Sequence, residues 1–242
     1  TLPVDAIIFD LEDAVSPDEK VAARELLAET LASQDFGQRR RIVRINGMDT
    51  EWGPADLAAM AAVAPDAILL PKVDSGADIA ALSAMMDAIP QAANTTIWAM
   101  METPRGILNA LEIAEAPRME GFVLGTNDLA KDLRSTGRPA MMTSLQLCLL
   151  AARAEQLICV DGVYNAFKDE DGLAAECAEG RAMGFDGKTL IHPAQIAVAN
   201  AAFAPSEEDI AIARATPPPR CCCTSRVRFS VLPETSNSTV KA

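Results

Sequence analysis

The chain has 242 residues and a formal net charge of −13, and half of its residues are apolar. This length fits one large α/β domain, and the negative charge argues against general binding to the phosphate backbone of nucleic acid. No run of about 18 apolar residues is present, so a membrane span is not expected.

The first predicted element is a strand over residues 6–9, an apolar run too short for a helix. Such a run is typical of a parallel strand that is buried on both faces. Three carboxylates follow within four residues, on Asp10, Glu12 and Asp13. Ser16 and Pro17 then predict a helix start. Parallel α/β proteins bind ligands where such strands end; the alternative is that these acids only solvate a loop.

The rest of the chain alternates predicted strands with helices, one unit every ~25–35 residues. The further strands cover residues 41–46, 67–72, 96–102, 121–125, 157–161 and 185–191, and the helices cover residues 19–33, 54–64, 76–88, 103–115, 140–156, 172–183 and 194–203. Strands joined in this way pair in parallel, and a closed (β/α)8 TIM barrel needs eight of them. We therefore expect residues 1–215 to form a TIM barrel whose first strand–helix unit lies upstream of Thr1. An open doubly wound sheet is the alternative.

The character of the sequence changes at Thr216. Residues 216–242 contain three consecutive prolines at 217–219, followed after Arg220 by Cys221, Cys222 and Cys223, and apart from residues 227–232 they are largely polar. This composition predicts an irregular, disordered tail. The six cysteines lack the spacing of a zinc site, and a reducing compartment is the simplest inference. We expect a cytoplasmic protein, or a mitochondrial or other organellar one if a targeting segment lies upstream.

Charged and polar side chains collect at the predicted carboxyl ends of the strands, which converge on one mouth in a barrel. They are Asp10, Glu12, Asp13, Arg44, Asn46, Lys72, Glu102, Asp128, Asp161, Lys188 and His192. Any one of them could form a structural ion pair, but the whole ring indicates a ligand site. Glu102 and Asp128 could hold Mg²⁺, which usually takes one or two protein carboxylates. Arg44 suits a substrate carboxylate, and a metal beside an arginine suits a 2-oxo or 2-hydroxy acid.

Lys72 raises another possibility, a Schiff-base aldolase, which needs a lysine whose pKa is lowered. The surrounding carboxylates favour an ammonium group instead. His192 is the single histidine of the chain, and a structural hydrogen-bonding role is at least as well supported for it as catalysis. The GxSxG, GxGxxG and P-loop motifs do not occur, so the common hydrolase and nucleotide sites lack support.

Seven short motifs occur in a specific order: Ile8–Val15 (IFDLEDAV), Arg44–Asn46, Leu70–Val73, Glu102–Pro104, Asn127–Leu129, Asp161–Gly162 and Gly187–Ile196. Any one of them is weak, but the ordered set, over about residues 3–214, resembles the HpcH/HpaI aldolase and citrate lyase β-subunit family. The most similar branch is that of the CoA-ester lyases, which includes citryl-CoA, malyl-CoA and citramalyl-CoA lyases.

The resemblance implies a Mg²⁺-dependent TIM barrel that cleaves a 3-hydroxyacyl-CoA thioester into an acyl-CoA and an oxo acid. It also implies a homo-oligomer, a trimer or hexamer, whose partners are small molecules rather than nucleic acid or membrane. Carried over to this sequence, the metal ligands are Glu102 and Asp128, the catalytic residues are Arg44, Glu12 and Asp13, and the substrate-binding residues are Arg44, Asp10, Lys72 and Asp161.

Two features of the resembled family do not appear in the sequence. They are a first strand of the RSxLFxPG type and a C-terminal lid with a DGKMxDxP-like pattern, so we expect an incomplete barrel without its lid. Two other functions stay open at this point. One is a class II-type aldolase on free hydroxy-oxo acids, and the other is a non-catalytic barrel that binds a small acid.

Overall fold

The computed structural model describes residues 2–205, 207, 210, 211 and 214. Seven strands form one parallel sheet in chain order: β1 Ala6–Asp10, β2 Arg40–Arg44, β3 Ala67–Leu70, β4 Thr96–Met101, β5 Met119–Leu124, β6 Ile158–Asp161 and β7 Gly187–Lys188. The α-helices are α1 Lys20–Ser33, α2 Gly53–Ala62, α3 Gly76–Asp87, α4 Pro104–Leu108, α5 Ala110–Ala114, α6 Thr126–Asp132, α7 Met142–Ala154, α8 Glu170–Met183 and α9 Ile196–Phe203. The predicted tail, residues 216–242, lies outside the described residues.

Three local predictions differ from the structure. Ser16 makes no side-chain capping bond, and Pro17–Glu19 form a 3-10 turn before α1 begins. The helix predicted over residues 103–115 divides into α4 and α5 at Asn109, whose side chain donates a hydrogen bond to the Asp74 carbonyl, 2.8 Å away. The last strand is two residues long rather than seven, as is common for an edge strand.

Strand order decides between the two predicted architectures. Each strand pairs in parallel with the next one along the chain, from β1 to β7. A doubly wound sheet reverses its order near the middle, so this sequential order excludes it and agrees with a TIM-barrel-like fold. The sheet is curled, because residues of β1 and residues that follow β7 line one common cleft.

Side chains alternate between the two faces of the curled sheet. Ala6, Ile42, Leu69, Trp98 and Val123 share one apolar cluster with further buried or half-buried residues of β1, β3, β4 and β6, and this cluster fills the inside of the curl. Alternate apolar strand residues, such as Val43, Ile68 and Phe122, pack outward against the helices in a second, larger cluster. This alternation fixes which strand-end charges reach the mouth.

Among the described residues, no helix combines the length and the apolar character needed to cross a lipid bilayer.

Candidate active site

Three of the predicted site residues continue the inward-facing rows of their strands. Asp10 lies two residues beyond Ile8, Arg44 two beyond Ile42, and Glu102 two beyond Met100. Asp10 and Arg44 are also direct partners in the register of β1 and β2. The period of two therefore brings these side chains together at the mouth of the curl.

Arg44 is held by a two-point contact with Asp10. Its Nε lies 2.8 Å from Asp10 Oδ1, and its Nη2 lies 2.5 Å from Oδ2. Its Nη1 faces Glu12 Oε2 at 2.9 Å and Asp13 Oδ2 at 3.5 Å. Burial alone would raise the pKa of Asp10, but the hydrogen bonds and charge of Arg44 outweigh it and lower that pKa. The guanidinium is thus fixed in direction by a carboxylate whose charged form is favoured.

The acidic loop after β1 is anchored from inside the protein. Asp10 accepts hydrogen bonds from the N–H groups of Glu12 and Ala14, at 2.9 and 3.1 Å. Lys20 of α1 is buried, and its ammonium group donates to the carbonyls of Leu11 and Glu12, at 3.0 and 2.7 Å. This lysine was not predicted as a site residue, although it positions Glu12 beside Arg44.

Lys72 contacts two of the carboxylates in different ways. Its backbone has φ of 51°, a left-handed conformation that is rare outside glycine. In this conformation its N–H donates to Glu102 Oε1 at 2.9 Å, and its ammonium group donates to Glu12 Oε1 at 2.8 Å. The hydrogen bond with Glu12 raises the pKa of Lys72. Lys72 therefore stays an ammonium group at neutral pH, which argues against a Schiff base.

Glu102 and Asp128 form the opposite wall of the site. The pKa of Glu102 is raised to about 7, mainly by burial and in smaller part by the charges of Glu12 and Asp128. Glu102 receives one hydrogen bond from the described residues, from Lys72, and Asp128 receives none. A buried carboxylate with a raised pKa beside a second, unpaired carboxylate is a site that a cation would stabilise.

The carboxylate oxygens of this site suit a hard cation that keeps some of its water better than a metal ion fully enclosed by protein ligands. In the described part of the chain, no group of three or more His, Cys, Asp or Glu side chains has the arrangement of a metal site. Mg²⁺ commonly binds through one or two carboxylates and completes its octahedron with water and substrate oxygens. Glu102 and Asp128, with open space before them, match this requirement.

The predicted residues line two adjoining hollows. Asp10, Asp13, Arg44, Glu102 and Asp128 line a cavity of about 340 Å³. Glu12, Asp13 and Lys72 line the neighbouring groove of about 1070 Å³. Asp13 borders both, so a ligand in the cavity can extend past it into the groove.

Asp161 is not brought to this mouth. It alternates with Val160, which faces inward, so its side chain points outward to the helices. There it is fully buried (0% exposed) and pairs with Lys188 Nζ and Arg138 Nη1, each at 3.0 Å. Lys188 is equally buried and also contacts Glu176 at 2.6 Å. Both residues belong to a buried ionic cluster behind the sheet.

Several lining residues were not predicted. Gly125 leaves room for Glu102, because a Cβ on it would lie 2.4 Å from the Glu102 side chain. Asn127 and Asn165 exchange two side-chain hydrogen bonds across the rim, at 2.7 and 3.3 Å. His192 accepts the Ala194 N–H through Nδ1 and stacks on Phe167 at 4.6 Å, which gives it a local structural role.

Comparison with known proteins adds three findings. Residues 1–193 match the family model described as HpcH/HpaI aldolase/citrate lyase. The chain is 61% identical over 215 residues to the (3S)-malyl-CoA thioesterase of Cereibacter sphaeroides, covering 88% of this chain and 73% of that protein. It is 38% identical to the citrate lyase subunit beta of Leuconostoc mesenteroides subsp. cremoris, covering 85% and 71%. The structure of CitE from Mycobacterium tuberculosis in complex with magnesium, acetoacetate and coenzyme A matches with a TM-score of 0.73 at 34% identity, covering 87% of this chain and 77% of that one.

Proposed function

This chain belongs to the HpcH/HpaI aldolase/citrate lyase family, and we propose that it is a Mg²⁺-dependent enzyme that hydrolyses the CoA thioester of a short hydroxy acid, with (3S)-malyl-CoA as its substrate. The observation that carries the proposal is the cavity that Arg44, locked by Asp10, lines together with the carboxylates of Glu102 and Asp128. The 61% identity to a (3S)-malyl-CoA thioesterase supports the substrate and the reaction.

Arg44 is the residue that recognises the carboxylate of the substrate. Because Asp10 occupies Nε and Nη2, the N–H groups that remain on Nη1 and Nη2 are those available to a substrate carboxylate. Glu12 and Asp13 lie 2.9 and 3.5 Å from Nη1 on the other side, and these contacts restrain the guanidinium further. A guanidinium that is already held in position stabilises a bound carboxylate without the entropy cost of ordering its own side chain on binding.

Glu102 and Asp128 would hold the metal ion. When bound there, Mg²⁺ would polarise a substrate oxygen and offset negative charge in the cavity. The N–H of Lys72 keeps Glu102 turned toward the cavity at 2.9 Å, and Gly125 gives that carboxylate its space. The ammonium group of Lys72, whose side chain is 55% exposed, faces the groove and favours an anionic substrate there.

Hydrolysis needs a group that takes a proton from water. The water oxygen adds to the thioester carbonyl carbon, the carbon–sulfur bond breaks, and the thiolate of CoA leaves and is protonated. Asp13 borders both hollows with a side chain that is 62% exposed, and it lies only at the edge of the Arg44 cluster. We assign the proton transfer to Asp13, with Glu12 positioning Arg44.

Carbon–carbon cleavage is the second candidate reaction. The likeness to citrate lyase subunits beta favours it, and the same arginine and carboxylates serve both reactions up to the point where a bond breaks. From (3S)-malyl-CoA, cleavage releases acetyl-CoA and glyoxylate, whereas hydrolysis releases free CoA and malate. The products therefore distinguish the two reactions without ambiguity.

The test is an assay of the purified chain with (3S)-malyl-CoA and Mg²⁺, in which free thiol, malate, acetyl-CoA and glyoxylate are all quantified. Citramalyl-CoA and citryl-CoA serve as alternative substrates, and a chelator serves as the metal control. We expect thiol and malate in equal amounts, with the signal lost on chelation. Acetyl-CoA with glyoxylate would establish the lyase reaction instead, and no turnover of any of the three thioesters would refute the proposal.

A further inference from the structure

Asp56 is a fully buried carboxylate (0% exposed) in the first turn of α2, and it is not among the residues that line the two hollows of the candidate site. Its Oδ1 lies 2.7 Å from Nε of Arg24 in α1. Its Oδ2 accepts hydrogen bonds from the backbone N–H and the side-chain Nδ2 of Asn46, at 3.1 and 2.6 Å. Burying a charge is costly unless it is paired and hydrogen-bonded, so these contacts are what allows a carboxylate at this position.

Asn46 connects this carboxylate to the acidic loop, residues 11–15. It follows β2, two residues beyond Arg44, and it is buried. The Nδ2 atom that donates to Asp56 also lies 2.8 Å from the carbonyl oxygen of Leu11. An amide nitrogen carries two N–H groups, so one of them bonds to Asp56 and the other to Leu11. The side chain of Asn46 is therefore a bridge between α2 and the acidic loop.

The charge of Asp56 decides which way the amide of Asn46 faces. An ionised carboxylate only accepts hydrogen bonds, so a flipped amide would place its own oxygen against Asp56 Oδ2, where Nδ2 now lies at 2.6 Å. Such a contact leaves both buried oxygens without a donor and costs the full desolvation penalty of each. The flip would also remove the donor from the Leu11 carbonyl. Asp56 thus keeps an N–H group of Asn46 directed at the acidic loop.

The Leu11 carbonyl belongs to the peptide group with which the acidic loop begins. It accepts one hydrogen bond from Asn46 and a second from Nζ of Lys20 in α1, at 2.8 and 3.0 Å. A carbonyl oxygen has two lone pairs, so these two donors saturate it and fix the plane of the peptide that joins Leu11 to Glu12. The direction in which Glu12 and Asp13 leave β1 therefore depends on the amide of Asn46.

We propose that Asp56 is a positioning residue for the acidic loop and that it acts through the amide of Asn46. The inference rests on the proposed function in one respect, the assignment of proton transfer to Asp13. Arg44 is held chiefly by Asp10, which lies on β1 and not on the acidic loop. Loss of Asp56 therefore displaces the group that moves the proton more than the group that binds the acid, and it impairs the chemical step more than substrate binding.

The kinetic test compares Asn46→Ala, Asp56→Asn and the double variant with (3S)-malyl-CoA and Mg²⁺. In each single variant kcat should fall at least ~10-fold, because a misplacement of about 1 Å in an active site can cost ~100-fold in rate. KM should change by less than ~3-fold. If Asp56 acts through Asn46, the double variant is no slower than Asn46→Ala alone. Losses that multiply in the double variant, or a raised KM with an unchanged kcat, would overturn the proposal.

Leu145→Ala is the matched control for a loss of stability alone. It truncates a fully buried side chain of α7 that lines neither hollow, so it creates a cavity in the core without touching the acidic loop. Urea denaturation ranks the stability of all variants, and kcat is then compared under conditions in which each variant is folded. We expect Leu145→Ala to be destabilised and to keep its kcat. A loss of kcat equal to that of Asn46→Ala would assign the buried network to stability and overturn the positioning role.

Hydrogen exchange tests the positioning without turnover, so it separates a failure of this proposal from a failure of the proposed function. The N–H groups of Glu12 and Ala14 are hydrogen-bonded in the ordered loop. They should exchange at least ~10-fold faster in Asn46→Ala and Asp56→Asn and at the wild-type rate in Leu145→Ala. Wild-type exchange of both amides in the first two variants would overturn the proposal, whether or not the protein hydrolyses thioesters. Faster exchange in a protein that turns over no thioester would support the positioning and refute the assigned reaction.

Discussion

Asp10 and Arg44 are register partners on neighbouring strands, and the carboxylate of one holds the guanidinium of the other at two points. The contact makes Asp10 a positioning residue for Arg44. It also corrects the simple picture of Arg44 as a free fork, since Nε and Nη2 are already engaged. Arg44 presents a ligand with a guanidinium group in a fixed orientation, and this orientation depends on Asp10.

Asp10→Asn should weaken the binding of substrate without unfolding the protein. The amide cannot accept at both points and carries no charge, so Arg44 gains rotational freedom that a bound carboxylate must remove. We expect KM for (3S)-malyl-CoA to rise about 10-fold or more, equivalent to about 1.4 kcal/mol. Asp18→Asn, at an exposed position of the 3-10 turn that follows the acidic loop, is the matched control. A normal KM in Asp10→Asn would show that Arg44 needs no such support.

Arg44→Lys should lose more than Asp10→Asn. A lysine cannot keep two hydrogen bonds to Asp10 and also reach the cavity, and a carboxylate partner in a partly desolvated site contributes about 2–4 kcal/mol. Titration calorimetry with malate or oxaloacetate in the presence of Mg²⁺ measures this loss. Native affinity in Arg44→Lys would assign Arg44 to the structure alone.

Glu102→Gln and Asp128→Asn should each abolish the Mg²⁺-dependent part of ligand binding. Glutamine at position 102 retains an acceptor for the Lys72 N–H, and Asp128 makes no hydrogen bond or ion pair with other described residues, so neither change removes a structural contact. Mn²⁺ binding followed by electron paramagnetic resonance reports the site without turnover. If both variants bind Mn²⁺ as the wild type does, the metal site lies elsewhere.

Most of the fold follows from patterns that the sequence displays. Short apolar runs separated by helical stretches predict a parallel sheet, and the structure confirms seven strands near the predicted positions. Whether the sheet curls or lies open depends on how distant elements pack, which no local pattern encodes. The break at Asn109 has the same origin, because it depends on a hydrogen bond to Asp74, 35 residues away.

The candidate site shows that a position at a strand end is not enough to identify a site residue. Proximity to a carboxyl end does not decide whether a side chain faces the mouth; the period of two decides it. Glu102 shares the parity of Trp98 and Met100, whereas Asp161 shares the parity of Cys159, which packs against the helices. Counting parity from the inward residues would have excluded Asp161. The left-handed backbone of Lys72 has no such signal in the sequence.

Lys188→Met should destabilise the protein while leaving catalysis in the folded fraction intact. The substitution leaves Asp161 fully buried with one of its two cations gone, and breaking a buried ion pair in this way costs about 3–5 kcal/mol. Urea denaturation measures the loss of unfolding free energy, and KM for (3S)-malyl-CoA should stay at its normal value. Unchanged stability with a raised KM would indicate instead that Asp161 and Lys188 belong to the substrate site.

Gly125 offers the sharpest test of the wall that Glu102 forms. Its φ of −90° is accessible to alanine, so Gly125→Ala carries no backbone penalty of the left-handed kind. Its added Cβ would, however, lie 2.4 Å from both Cβ and Oε2 of Glu102, which forces that side chain away from the cavity.

Gly37→Ala is the matched control with the opposite properties, since position 37 has open space but φ of +63°, and this substitution should cost about 1 kcal/mol of stability. We expect Gly125→Ala to lose Mn²⁺ binding and activity with near-native circular dichroism, and Gly37→Ala to lose stability but keep both. Retention of Mn²⁺ affinity in Gly125→Ala would mean that the position of Glu102 does not define the metal site.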